Sequence, residues 1–281
     1  MAAEIDALTS ATLRHLRERW WNDSFTGFLE ESLRPRPGKR ILHVGCGTGI
    51  GEISLSRLRL SQMQLYGVDL LLQRLRQARD ATRGVNARAN YSAADAARLP
   101  FKDGVFDSTY CVAVLQHTRD FGLALAEMAR VTKPNGRILV VEPDNAAVYW
   151  FSSLPSGVDA FDLGRRFFAE RAAARDEPAA SAVGPQIPTL FAPNGIEPLS
   201  VQLFPVSVAH VGALPEDVWE GRRKAVQEAI ADTSNESLRR LGGDYLKAIE
   251  RYATDARAAG STFVEIQNTL LFANAGQRAD S

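Results

Sequence analysis

Residues 40–54, RILHVGCGTGIGEIS, decide the fold of this chain of 281 residues. Residues 41–44 form a short and mostly apolar run, which is typical of a strand buried between helices. Residues 45–51 contain four glycines in seven positions, so the backbone can turn sharply and a ligand can approach where a Cβ atom would clash. Glu52 then begins a segment whose sequence predicts a helix. A strand, a glycine turn and a helix start together point free backbone N–H groups towards an anionic ligand group.

The spacing of the glycines indicates which ligand the turn binds. The dinucleotide pattern G-x-G-x-x-G fails, because its third glycine falls on Ile50 or on Glu52, depending on the starting glycine. The observed pattern is G-x-G-x-G-x-G. The next predicted strand, QLYGVD at 64–69, ends in Asp69, and a carboxylate at that place can accept hydrogen bonds from ribose hydroxyls. The two features predict a nucleoside with a small anionic group rather than a pyrophosphate.

Five stretches of the sequence, in order and in spacing, resemble the class I S-adenosylmethionine-dependent methyltransferases. They are ILHVGCGTGIGEISL, GVDLL, AADAARLPF, FDSTYCVAVLQHTRD and RVTKPNGRILVVEPD. The resemblance covers roughly residues 36–145 and is strongest to the small-molecule branch that includes ubiquinone and menaquinone methyltransferases. It implies an α/β fold, with a doubly wound, mostly parallel seven-stranded sheet of Rossmann-like methyltransferase type. It also implies S-adenosylmethionine as the cofactor and S-adenosylhomocysteine as the product.

The resemblance assigns ten cofactor contacts. Because S-adenosylmethionine has no phosphate, its methionine carboxylate is expected at the glycine turn. In the family, an acid at the position of Asp95 accepts from the adenine amino group, and the next N–H, that of Ala96, faces the ring. An alternative is that Asp95 only caps a short turn. The complete set of expected cofactor contacts is Gly45, Cys46, Gly47, Thr48, Gly49, Asp69, Leu70, Asp95, Ala96 and Val112.

Strands are also predicted at 89–95, 105–115, 137–142, 197–208 and 262–274, with Pro143 and Asp144 ending the fifth. The resemblance places the last strand antiparallel beside the fifth. Segment 145–177 reads as mixed helix and loop, and two further helices are predicted at 215–232 and 237–259.

Two domains are predicted along the chain. Residues 1–34 form an N-terminal helical lid over the cofactor or, alternatively, an amphipathic helix packed on the core. Residues 35–281 form the methyltransferase domain, with helical insertions at 145–195 and 212–260 around the last two strands. Long insertions at the functional edge of a scaffold often carry specificity.

Methyl transfer from a sulfonium is an in-line displacement, so the protein contributes mainly alignment. A general base is needed only where the acceptor loses a proton. His117, after the fourth strand, is a candidate base or a residue that fixes its loop. Glu142 and Asp144, after the fifth, are candidates for a base or for acceptor binding, or they serve the loop around Pro143. Tyr149 and Trp150 are predicted to bind an acceptor that is small and apolar or partly aromatic.

Composition narrows the class of protein. Lys plus Arg and Asp plus Glu are each 33, and this balance argues against a nucleic-acid partner. No apolar run approaches the length of a membrane span. The two cysteines, Cys46 and Cys111, provide neither a disulfide framework nor a metal site, so a reduced, cytoplasmic protein without a metal is expected.

Two alternatives stay open at this point. An NAD-dependent oxidoreductase would share the glycine turn and Asp69, although the missing third glycine and the LPF motif after Asp95 count against it. A non-catalytic module would keep S-adenosylmethionine binding without turnover. The acceptor, the methylated atom and the oligomeric state do not follow from the sequence.

Overall fold

The computed structural model describes residues 20–57, 63–85, 89–118, 120–174 and 183–280, without the side chains of 145, 146 and 148. The helices are α1 (Asp23–Leu33), α2 (Ile50–Ser56), α3 (Leu72–Gly84), α4 (Phe121–Val131), α5 (Pro155–Ala174), α6 (Val183–Phe191), α7 (Glu216–Ala231) and α8 (Glu236–Ala259). The strands are β1 (Arg40–Val44), β2 (Gln64–Asp69), β3 (Ala89–Ala93), β4 (Phe106–Val112), β5 (Thr132–Ser152), β6 (Ile196–Val211) and β7 (Val264–Arg278).

The strands form one seven-stranded sheet in the order β3-β2-β1-β4-β5-β7-β6. β1 pairs in parallel with both β2 and β4, and the pairs β2–β3 and β4–β5 are parallel as well. This confirms the predicted doubly wound α/β sheet and the place of the last strand beside the fifth. The carboxyl ends of β1, β2 and β4 lie next to one another, at the point where the strand order reverses. That edge is where open α/β sheets bind ligands.

Alternate residues of β1 serve the two faces of the sheet. Leu42 and Val44 belong to a buried apolar cluster with Leu125 and Met128 of α4. On the opposite face, His43 stacks on the ring of Tyr110, with the ring centroids 4.2 Å apart. The central strands are therefore covered on both sides, as their apolar sequence predicts.

α1 is the described part of the predicted lid. Phe25, Phe28, Leu29 and Leu33 of this helix are buried, and Ser108 Oγ donates to Leu33 O at 2.8 Å. This packing favours the alternative of a helix fixed on the core for residues 23–33. Residues 1–19 of the predicted lid lie outside the described residues.

The fourth strand is shorter than predicted. It ends at Val112 rather than at Leu115, because Ala113 has a left-handed φ of 54° and Leu115–His117 forms a 3-10 turn. Positive φ is uncommon for an L-residue and interrupts the extended conformation of a strand.

The predicted end of the fifth strand was wrong, because β5 continues past Pro143 to Ser152. β4 ends at Val112, opposite Val141, so the missing N–H of Pro143 breaks no hydrogen bond of the β4–β5 ladder. Residues 133–136 form an irregularity inside β5. Asn135 has a φ of 60° there, and the pairing register shifts.

The chain divides into two compact units. The larger comprises Trp20–Asp144, Ala182–Phe204 and Leu270–Ser281, and it contains β1 to β4 with α1 to α4. The described part of the smaller unit comes from Asn145–Ser181 and Pro205–Thr269 and contains α5, α7 and α8. Its helical core is built around large buried rings, namely Phe167, Trp219, Tyr245, Tyr252 and Phe263.

Candidate cofactor site

The glycine turn is held against β2 by its own backbone. Cys46 N donates to Val68 O at 2.8 Å, and Gly49 N donates to Cys46 O at 3.0 Å. Gly45 and Gly47 have left-handed φ values of 70° and 55°. Glycine adopts this conformation without steric cost, whereas other residues are strained in it.

Gly45 and Gly47 are needed for different reasons. A Cβ atom at Gly45 would lie 2.3 Å from Cγ2 of Val114, inside the protein. A Cβ atom at Gly47 would meet no atom within 4 Å, so the space beside Gly47 is open. The turn therefore packs on the core at Gly45 and leaves its backbone accessible at Gly47.

Alanine at these two positions is expected to separate folding from binding. Gly45→Ala should lower the melting temperature markedly through its clash with Val114. Gly47→Ala should cost only about 1–2 kcal/mol of stability, from the strained φ, but it should weaken cofactor binding more than tenfold, because its Cβ occupies the open space. Melting curves and calorimetry with S-adenosylhomocysteine check this. Wild-type affinity in Gly47→Ala would contradict a site at this turn.

Asp69 lies directly under the turn and is 6% exposed. Its Oδ2 accepts from Gly47 N at 3.0 Å, and its Oδ1 accepts from Leu71 N at 2.9 Å. Because each carboxylate oxygen can accept more than one hydrogen bond, lone pairs remain for a vicinal diol. The neighbouring Leu70 is 54% exposed and adds an apolar surface beside this carboxylate.

Asp95 begins the loop after β3. Its Oδ1 accepts from Ala97 N at 2.9 Å, and Arg98 N donates to Asp95 O at 3.0 Å. The turn-capping role is therefore present. Asp95 is nevertheless exposed, and Ala96 is half-buried. Contact of these two residues with adenine stays a prediction.

Two residues of α4 support this loop, and sequence reasoning missed both. Glu127 Oε2 accepts from Leu99 N at 2.6 Å, and the guanidinium of Arg130 donates to the carbonyl oxygens of Leu99 and Phe101 at 3.1 and 2.8 Å. The bond to Arg130 lowers the pKa of Glu127. The i, i+3 spacing of an acid and a base on one helix was the available signal, but it does not reveal the distant loop that they bind.

Glu142 is fully buried at the carboxyl end of the β4–β5 pair. Its Oε1 accepts from Val114 N and from Leu115 N, both at 2.8 Å, and its Oε2 accepts from Gln116 N at 3.4 Å. Three consecutive N–H groups of the loop after β4 therefore converge on one carboxylate. Glu142 therefore holds the loop after β4, whereas the alternative predicted from the sequence concerned the loop around Pro143.

The other predicted catalytic and substrate residues lie in different settings. His117 is exposed in the loop that Glu142 holds, and its backbone N–H donates to the backbone oxygen of Val114 at 2.9 Å. Asp144 is 9% exposed. Tyr149 and Trp150 belong to the smaller unit and are 58% and 38% exposed, so they present aromatic surface to solvent.

Further aromatic residues follow Tyr149 and Trp150 along the chain. Phe167 is fully buried in the helical core of the smaller unit. Trp150 packs edge-on against Phe161, with ring centroids 4.2 Å apart. Phe151 and Phe168 are 41% and 42% exposed. The exposed rings of Phe151 and Phe168 are accessible to a ligand, whereas the ring of Phe167 is not.

Comparison with known proteins agrees with this geometry. A family model described as "Methyltransferase domain" matches residues 42–140. This part of the chain is therefore similar to a methyltransferase domain. The match covers β1 to the first half of β5, and so includes the glycine turn, Asp69 and Asp95.

Curated relatives are similar to this chain over a longer stretch than the family model, but each alignment covers only part of both proteins. The chain is 36% identical over 166 residues to a ubiquinone/menaquinone biosynthesis C-methyltransferase of Teredinibacter turnerae, covering 55% of this chain and 65% of the relative. It is 33% identical over 135 residues to a demethylmenaquinone methyltransferase of Mycolicibacterium gilvum, covering 48% of this chain and 54% of the relative. The chain thus spans less than two thirds of these curated relatives.

A solved structure shares the fold. The YcgJ protein from Bacillus subtilis aligns with a TM-score of 0.57 at 17% identity, covering 91% of this chain and 98% of that one.

Among the described helices of the present chain, none is both long enough and apolar enough to cross a membrane. In the described ranges, no three His, Cys, Asp or Glu side chains are grouped as metal ligands.

Proposed function

We propose that the chain transfers a methyl group from S-adenosylmethionine to a small-molecule acceptor. The observation that carries this proposal is the pairing of the open backbone at Gly47 with the buried carboxylate of Asp69, joined by a hydrogen bond of 3.0 Å. The turn would hold the methionine end of the cofactor, and the carboxylate would accept from the ribose hydroxyls. Leu70, Asp95, Ala96 and Val112 complete the proposed cofactor contacts.

The methyl group of the sulfonium is already activated, so the protein needs to supply few catalytic groups. A lone pair of the acceptor forms a bond to the methyl carbon, while the carbon–sulfur bond breaks and its electrons stay on sulfur. Holding both partners in line supplies most of the rate enhancement. Glu142 contributes by fixing the loop after β4, since its carboxylate binds three of that loop's N–H groups.

The acceptor we propose is small and apolar or partly aromatic. The relatives from Teredinibacter and Mycolicibacterium are named for methylation in ubiquinone and menaquinone biosynthesis. The exposed rings of Tyr149 and Trp150 support the same class of ligand, because pockets for apolar bodies are lined by such side chains. Asp144 is the proposed polar contact that orients the acceptor.

A screen with methyl-labelled S-adenosylmethionine against phenols, hydroquinones and amines tests the acceptor class. Label transfer to a phenol or hydroquinone is expected. Tyr149→Ala and Trp150→Ala should then raise the Michaelis constant of that acceptor several-fold and leave cofactor affinity unchanged. Transfer confined to hydrophilic amines would contradict the proposed class.

His117 is the proposed general base, provided that the acceptor loses a proton. His117→Ala should then lower kcat by about 100-fold or more and remove one ionisation from the pH–rate profile, with cofactor affinity unchanged. A rise in the acceptor's Michaelis constant with an unaltered pH profile would assign His117 to orientation instead.

A further inference from the structure

A polar cluster lies directly beneath the glycine turn. Glu52, in the first turn of α2, is 1% exposed, and His43 on β1 is 3% exposed. His43 Nδ1 and Glu52 Oε1 are 3.0 Å apart. A Cβ atom at Gly51 would lie 2.6 Å from the hydroxyl of Tyr110 and 2.8 Å from His43 Nδ1. The backbone that leads out of the turn therefore rests on these side chains.

The carboxylate of Glu52 is only half satisfied. Oε1 contacts His43, whereas Oε2 has no hydrogen-bond partner among the described residues. The same holds within that part of the chain for His43 Nε2 and the hydroxyl of Tyr110. An unpartnered polar group in the interior costs free energy, and a carboxylate costs more than a neutral group. Such a group calls for an explanation.

The electrostatic field of the Glu52 carboxylate reaches Cys46 in the glycine turn. Burial raises the pKa of the Cys46 thiol, and the carboxylates of Glu52 and Asp69 raise it further, against smaller opposing effects of a backbone hydrogen bond and of Arg74. Burial and then Glu52 raise the pKa of Tyr110 in the same way. Cys46 lies between Gly45 and Gly47 of the proposed cofactor site. A negative potential from beneath therefore acts on the segment that would hold the cofactor.

We propose that Glu52 is a specificity-determining residue that favours the positively charged cofactor over its neutral product, with His43 positioning its carboxylate. This inference rests on the proposed function. S-adenosylmethionine and S-adenosylhomocysteine share a carboxylate and an ammonium group, and they differ by one methyl group and one positive charge on sulfur. A buried anion beneath the turn attracts the sulfonium and gains nothing from the thioether, so it strengthens binding of the substrate and eases release of the product.

Calorimetric titration of both ligands into the wild-type chain and into Glu52→Gln tests the proposal. The amide keeps the shape of the side chain and an oxygen for His43, but it carries no charge. In Glu52→Gln, the Kd for S-adenosylmethionine should rise roughly five- to twentyfold, while the Kd for S-adenosylhomocysteine should change less than about twofold. An unchanged ratio of the two Kd values would overturn the proposal.

Further variants separate charge from structure. Glu52→Asp keeps the charge and should keep most of the preference for S-adenosylmethionine. Asp107→Asn is the matched control, because it removes a carboxylate that is bonded to Lys39 and Lys133 at the amino ends of β1 and β4. It should lower stability and leave the ratio unchanged. A ratio that shifts equally in Asp107→Asn would show a general effect of charge and would overturn the role of Glu52.

His43→Gln gives a second test that does not depend on the folding of Glu52→Gln. It keeps a hydrogen-bond donor for Glu52 and removes the imidazole, so the preference for S-adenosylmethionine should be retained or increased. A preference that falls would overturn the proposal, because the imidazole would then set it. Wild-type protein that binds neither ligand would refute the proposed function itself, whereas binding of both with an unaltered ratio in Glu52→Gln refutes only this inference.

Discussion

Asp69→Ala is expected to weaken S-adenosylmethionine binding about 10- to 100-fold, which corresponds to about 1.5–3 kcal/mol. The variant removes the acceptor proposed for the ribose hydroxyls. It also leaves the N–H groups of Gly47 and Leu71 without the oxygens that now hold them at 3.0 and 2.9 Å. The glycine turn then loses a constraint at the position where its backbone is open, so both effects act on the cofactor.

Titration calorimetry with S-adenosylmethionine measures this effect, and a melting curve shows whether the fold survives. Asp107→Asn again provides a control, because it changes a carboxylate at the amino end of β4, whereas Asp69 lies at the carboxyl end of β2. It should bind the ligand with wild-type affinity. Equal affinities of the wild-type chain and Asp69→Ala would refute the assigned site.

Glu142→Ala is expected to lower the free energy of unfolding by about 3 kcal/mol or more. The side chain is fully buried, and its removal leaves the N–H groups of Val114, Leu115 and Gln116 without their acceptor. The loop after β4, which carries His117, should become mobile. Chemical denaturation measures the loss of stability, and hydrogen exchange localises it.

Glu142→Gln distinguishes the supporting role from a catalytic one. The amide oxygen still accepts from the loop, so stability should fall by only about 1–2 kcal/mol. A supporting role predicts a nearly unchanged pH–rate profile in this variant. Loss of an ionisation from that profile, together with a large fall in kcat, would make Glu142 the general base instead.

The sequence predicted the glycine turn and Asp69 because local spacing encodes both. A strand, positive-φ glycines and an acid at the end of the next strand need no knowledge of distant contacts. The mostly parallel sheet was implied by the resemblance that five sequence motifs carry, and the structure confirms it.

The supporting residues did not follow from the sequence, because their partners are distant along the chain. Glu142 binds N–H groups 26–28 residues before it, and Glu127 binds an N–H group 28 residues before it. β5 tolerates Pro143 because its pairing with β4 ends at Val141, and no local pattern shows where a neighbouring strand stops. Glu52 resembled an ordinary first-turn acid, and the structure marks it as unusual through its burial, its contact with His43 and its unpartnered Oε2.

The most direct test of the central claim is a calorimetric titration of the wild-type chain with S-adenosylhomocysteine and, separately, with NADH. The geometry of Gly47 and Asp69 predicts saturable binding of S-adenosylhomocysteine at one site per chain and no saturable binding of NADH. Tight binding of NADH without binding of S-adenosylhomocysteine would contradict the methyltransferase assignment and favour an oxidoreductase.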